Sequence, residues 1–245
     1  MMKKLIFSTI TASLISFYTC PFADTGVKHN SPSAQYFLDH IAGNLTLTNN
    51  YIFRGLSDTR NEAALQGGLT FSFDSKIYVG LWGTNTNFPS PNGDLATFEA
   101  DEFIGYSNTI KDLSFDLHFV RYDYPRASSA TYNELIGSLS YKFITFLMGY
   151  SGNVFGSHGP GTYINLGLNV DIPAKYIYFE HVNLSGGVGS YDLDKEAGNS
   201  YQDYNILLAK TVGDKYTFSL QWVDTNHKNP PYDGSRWVIA ITAKF

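Results

Sequence analysis

The chain has 245 residues, a formal net charge of −5 and only 16% charged residues, against 16% aromatics and 18 tyrosines. That length suits one large all-β domain, and the mild acidity argues against a nucleic-acid partner, which calls for basic patches. Beyond the N-terminus no run of about 18 apolar residues occurs, which excludes a later transmembrane helix.

The first residues, Met1 to Ala23, read as a secretory signal: Lys3 and Lys4, an apolar core from Leu5 to Tyr18, and Ala23 as the cleavage point. Cleavage there removes Cys20, the one cysteine, leaving no thiol to oxidise in the periplasm. Asp24 to Ala42 is polar and unpatterned and reads as a flexible periplasmic lead-in. The domain reading is therefore 1–23 signal, 24–42 lead-in and 43–245 barrel.

From Gly43 onward the alternation expected of half-buried strands sets in. Gly43 to Gly55 places Leu45, Leu47, Tyr51 and Phe53 on one face and Thr46, Thr48, Asn50 and Arg54 on the other. Further strands are predicted at 64–73, 77–84, 98–106, 113–122, 132–141, 143–151, 162–170, 176–191, 201–210, 216–224 and 236–245, about twelve in all. Within 98–106 the acids Glu99, Asp101 and Glu102 occupy both faces, leaving the inward face undecided. Gly186-Gly187 predicts a bulge.

Connections alternate in length. Those at 74–76, 107–112, 142, 171–175 and 211–215 are short. Those at 56–63, 85–97, 123–131, 152–161, 192–200 and 225–235 are long and rich in Gly, Pro, Ser and Asn. Short turns at one end and long loops at the other describe a transmembrane antiparallel up-and-down β-barrel. Phe71, Phe73, Tyr106, Tyr141, Phe143, Tyr176, Tyr178, Tyr216 and Phe245 all adjoin the short turns, as an interfacial girdle would. A secreted β-sandwich is the competing fold, with its apolar faces sharing one core.

The closing segment Arg236 to Phe245 alternates to the chain end, with Trp237, Ile239, Ile241, Ala243 and Phe245 on one face. It resembles the C-terminal signal of bacterial outer-membrane barrels, which implies periplasmic chaperones, the barrel-assembly machinery and outer-membrane lipid as partners. Several other stretches are similar to the TorF family of porins from Gram-negative bacteria. They are Asn50-Tyr51-Ile52-Phe53-Arg54-Gly55-Leu56-Ser57 with Ala64-Leu65-Gln66-Gly67-Gly68-Leu69, then Tyr78-Val79-Gly80-Leu81-Trp82-Gly83, Tyr122-Asp123-Tyr124-Pro125, Tyr132-Asn133-Glu134-Leu135 and Tyr201-Gln202-Asp203-Tyr204. The family's Gly after the Tyr-x-Tyr-Pro is Arg126 here. The resemblance implies a barrel in the cell outer membrane.

With the apolar faces on lipid, Asn50, Arg54, Gln66, Asp116, His118, Glu134, Asn165, Asp203, Asn205 and Gln221 line the lumen. The expected function is a porin-like channel for passive diffusion of small polar or ionic solutes, with no cofactor, no metal and no catalysis. Arg54 is placed to pair with Glu134 or Asp203, or to offer a cationic rung to anionic solutes. Two alternatives stand beside the channel. One is a structural or adhesive barrel with a plugged lumen, acting through loops such as 85–97 and 225–235. The other is an outer-membrane lipid hydrolase, for which Ser157-His158 and Glu180-His181 are the candidate pairs.

Overall fold

The computed structural model describes residues 32–245, so the signal reading and residues 24–31 of the lead-in fall outside the described residues. Twelve antiparallel strands close on themselves: β1 (Ile41–Thr48), β4 (Ala64–Ser72), β5 (Ile77–Pro89), β6 (Leu95–Ile110), β7 (Leu113–Asp123), β8 (Tyr132–Tyr141), β9 (Ile144–Ser151), β10 (Gly161–Ile172), β11 (Val182–Leu193), β12 (Tyr201–Val212), β13 (Tyr216–Thr225) and β14 (Arg236–Lys244). Each strand pairs with its sequence neighbour among these twelve, and β14 closes on β1 with Asn44 opposite Lys244 and Thr48 opposite Ala240. Phe245 completes the seam, its amide donating to the Gly43 carbonyl at 3.0 Å while the Gly43 amide donates to the Phe245 carbonyl at 2.8 Å. The seam leaves no wall edge unpaired, which a barrel in hydrocarbon requires.

The sequence alternation becomes a radial sort. Leu45, Leu47, Leu81, Leu117, Leu139, Leu166, Ile206, Ile239 and Ile241 all project outward and are exposed, in a band that hydrocarbon suits and water does not. Trp237 and Phe245 of the closing strand project the same way, and Val238 between them turns inward and is buried. At the short-turn end Phe73, Tyr106, Tyr141, Phe143, Tyr176, Tyr178 and Tyr216 form the outward girdle expected from their positions. Here the chain reverses tightly: Lys111-Asp112 and Lys142-Phe143 are two-residue turns, with Lys111 and Lys142 in the left-handed region.

Several expectations need correction. The first predicted strand does not run to Gly55. The wall strand ends at Thr48, Asn49 still pairs with Ile239, and residues 50–59 fold back into the barrel. There Ile52–Phe53 and Leu56–Ser57 form a small hairpin, β2 and β3. Tyr51 and Phe53, read as facing lipid, are buried inside. The lead-in is helical from Pro32 to His40 (α1), and its rings stack on the outer wall, Phe37 on Phe71 at 5.5 Å. The predicted strand 176–191 starts late, because Ala174–Ile177 is a short helix (α2) ending at a left-handed Tyr178. The predicted loop 85–97 is mostly strand, β5 and β6 extending past the rest of the wall to a tip at 90–94. The pairing stays in register through Gly186 and Gly187, and the bulge lies at Asn85 to Phe88 instead. Gly186 marks a close approach, since a Cβ there would lie 2.7 Å from the Asn205 carbonyl.

Two measurements test this arrangement. Leu166→Arg, on the outer face midway along β10, is expected to cost about 2–4 kcal/mol in urea unfolding from lipid vesicles, and inward Ser138→Arg much less. At the rim, the His40 Nε2–Asp74 contact at 3.0 Å raises the His40 pKa above 6.5, chiefly through that hydrogen bond. A raised folded pKa means the contact's contribution is whole below the unfolded pKa and fades as pH rises through the folded one. Hydrogen exchange over 32–40 should therefore be slower at acidic than at alkaline pH, beyond the intrinsic rate change, and Asp74→Asn should abolish that excess.

Candidate functional site

The inserted segment is held where its sequence gives it no choice of shape. Phe53 pairs with Leu56, so Arg54 and Gly55 are the two turn residues, with φ of 47° and 83°. Both lie in the left-handed region that a two-residue type I′ hairpin demands. Gly55 adopts it freely and also has no room for a side chain, because a Cβ would stand 2.5 Å from Asp203 Cβ. Arg54 adopts it at a cost of about 1–2 kcal/mol, so the surroundings must hold it there.

They do so with charge and aromatic faces. Arg54 is fully buried, and its Nη2 donates to Glu134 Oε2 on β8 at 2.7 Å. The guanidinium carbon lies 4.8, 4.3 and 4.7 Å from the ring centroids of Phe53, Tyr163 and Tyr191. Tyr122 donates to the same Glu134 oxygen at 3.1 Å, and Tyr163 donates to Asp203 Oδ2 at 3.0 Å. Gly149 on β9 provides the space, since a Cβ there would meet Glu134 Oε1 at 2.7 Å and Arg54 Nη2 at 3.0 Å. Of the two partners expected for Arg54, Glu134 takes the hydrogen bond and Asp203 lies under Gly55.

The hairpin touches the wall all round. On one side Tyr51 packs on Trp82 of β5 and Phe53 on Tyr122 of β7. On the other, Ile52 packs with Val223 of β13 and Val238 of β14. Thr59 and Asn50 tie its stem together: the Thr59 hydroxyl lies 3.1 Å from Asn50 Oδ1, and Ser57 donates to the same oxygen at 2.6 Å. At this level the lumen is filled. Toward the short-turn end it is lined instead by small or polar inward residues that water reaches, among them Thr46, Gln66, Thr70, Ser138 and Ser140.

The residues expected to line the lumen all face inward but divide between two structures. Gln66, Asp116, His118, Glu134, Asn165, Asp203, Asn205 and Gln221 project from the wall. Asn50 and Arg54 belong to the inserted segment. Asp116 and His118 form their own group, with Tyr78 donating to Asp116 Oδ2 at 2.7 Å and His118 Nδ1 2.6 Å from Oδ1. The undecided acids resolve: Glu99 and Asp101 face inward and are buried, and Glu102 faces outward. Tyr163 and Tyr191 were missed as members of the site. Their signal was available, since each is the inward residue at the loop end of its strand. Of the pairs considered for hydrolysis, the Ser157 hydroxyl donates to the Val154 carbonyl at 2.6 Å, and His158 and His181 are exposed.

Residues 32–244 match the family described as "Bacterial protein of unknown function (Gcw_chp)". The chain belongs to that family. No curated protein matches the sequence. Among solved structures the fold is similar to the KdgM porin, at 7% identity and a TM-score of 0.52 over 84% of this chain and 98% of that one. It is similar to the NanC porin at 8% identity and a TM-score of 0.53, with the same two coverages of 84% and 98%. A structure of the KdgM porin in complex with disordered oligogalacturonate aligns at 7% identity and a TM-score of 0.51. This member of the Gcw_chp family thus has a porin-like barrel, with its own inserted hairpin across the lumen.

A buried ion pair returns little net stability, but deleting one partner leaves a charge without water or counter-ion. Arg54→Ala is accordingly expected to lower stability by about 3–5 kcal/mol in denaturant unfolding, with Glu134→Gln close behind. Arg54→Lys should recover only part of the loss, because a compact ammonium cannot reproduce the planar guanidinium's contact with the Tyr163 and Tyr191 rings while it bonds Glu134.

Proposed function

We propose that the chain is an outer-membrane, porin-like channel of the TorF kind for passive diffusion of small polar or ionic solutes, closed at rest by the hairpin of residues 52–57. The observation that carries this reading is that the obstruction belongs to a loop and the polar lining belongs to the wall. Removing residues 50–57 leaves every pairing of the twelve-stranded wall in place, since β1 ends at Thr48 and β4 begins at Ala64. Twelve strands fall between the eight whose side chains fill a barrel and the sixteen that leave open water. A single inserted segment is then enough to decide between a closed and a conducting lumen. The chemistry is passage and needs no cofactor or catalytic residue. Outer-membrane lipid would meet the apolar belt, and periplasmic chaperones and the barrel-assembly machinery would deliver the chain.

The plugged, structural barrel is the second reading, favoured by the complete burial of Arg54, Ser57 and Thr59. Planar-bilayer recording separates the two. The wild type is expected to conduct rarely or briefly, and a variant with residues 51–57 replaced by a Gly-Ser linker to show frequent, larger steps. If the linker variant inserts and stays silent, the barrel is structural and works through its long loops. Release of fatty acid from phospholipid by the purified wild type would instead favour the hydrolase.

A further inference from the structure

The plug carries its charge in an uneven way. At the level of the hairpin the wall presents Glu99 and Asp101 from β6, Glu134 from β8 and Asp203 from β12, each about 1% exposed. The buried cation among them, Arg54, is on the loop. The wall's other inward cations among the described residues stand elsewhere. Arg236, at the loop mouth, gives its guanidinium to the Tyr232 and Asp233 carbonyls, and Lys244 lies at the short-turn rim opposite Asn44. The acids are also under-used: neither oxygen of Asp101, nor Glu99 Oε2, nor Glu134 Oε1 has a hydrogen-bond partner. A buried carboxyl group without a partner must either keep its proton or gain a counter-charge, so this wall can accept positive charge.

The shape of the site says which positive charge. Arg54 lies in the corner made by the rings of Tyr163 and Tyr191, which meet edge to face at 5.5 Å, with Glu134 on its edge, and every one of those wall groups stays behind if the hairpin withdraws. What remains is an aromatic and acidic cradle that offers two ring faces and the Glu134 carboxyl group to a cation, with Asp203 beside it through Tyr163.

We propose that this wall cradle is a binding site for cationic solutes bearing a guanidinium or primary ammonium group, that Arg54 is its tethered occupant, and that the open passage is cation-selective. The selectivity rests on the channel reading above; the cradle itself does not. Solutes of this class would compete with Arg54 for Glu134 and so favour the open state.

Two experiments test it. In full-length Arg54→Ala, ethylguanidinium chloride is expected to restore much of the lost unfolding midpoint, and uncharged ethylurea at equal concentration to do nothing. The same cation should have no such effect on Arg54→Ala carrying Tyr163→Ala. Equal effects of the two additives, or none from either, would overturn the cradle. In planar bilayers, the variant with residues 51–57 replaced by a linker should favour K⁺ over Cl⁻ several-fold in reversal potential. Substituting Asp101→Asn and Glu134→Gln together should reduce that preference. Open steps that favour Cl⁻ would sink the selectivity and leave the channel intact. A silent membrane together with guanidinium rescue would sink the channel and leave the cradle.

Discussion

Closure of β14 on β1 is the constraint from which the remainder follows. An apolar surroundings gives unpaired backbone no partner, so the wall can face lipid only if its first and last strands meet in register. The register from Asn44–Lys244 to Thr48–Ala240, finished by the paired amides and carbonyls of Gly43 and Phe245, provides this. It also fixes which residues look inward on all twelve strands, because side chains alternate and one residue of slip would exchange lumen for lipid. The buried acids, the tyrosines and the polar vestibule are thus all consequences of one seam.

Within that wall the inserted hairpin satisfies a second requirement. A lumen lined by polar side chains is stable when water fills it, but four inward carboxylates at one level need water, protons or a counter-charge. Arg54 provides counter-charge from a loop rather than from the wall. A wall arginine would be permanent, whereas one on a two-residue turn in the left-handed region comes with a conformational cost that the contacts must outweigh. The pair therefore specifies where the loop sits more than it adds stability, and that is the property a closure needs.

The sequence made the wall legible because alternation, turn chemistry and aromatic placement all pointed to one architecture. It was less informative where period 2 has two causes. Tyr51 and Phe53 continue the alternation of Leu45 and Leu47, yet they face an aromatic core inside the barrel, and periodicity does not distinguish lipid from a protein interior. Arg54-Gly55 went unread as a hairpin turn because the usual first residue of a type I′ turn is Asn, Asp or Gly. Residues 85–97 read as a loop because Pro, Asn and Gly dominate them, although the two long strands carry the pairing past Phe88 and Ala96. The importance of Arg54 itself was visible, as an inward cation at the loop end with Glu134 and Asp203 in reach. Tyr163 and Tyr191 could be placed at that level, each being the inward residue at the loop end of its strand, but their contact with Arg54 depends on the hairpin folding inward, which alternation does not show.

Residues 52–57 lie sealed inside the barrel while the short-turn half of the lumen is wet. Thiol labelling tests it most directly, in a chain with Cys20 replaced by Ser, folded in lipid vesicles and carrying either Ser57→Cys or Thr70→Cys. A small water-soluble maleimide is expected to react quickly at position 70 and slowly at position 57. Fast labelling at 57 in the resting protein would mean that the hairpin is not seated in the lumen, and would contradict it.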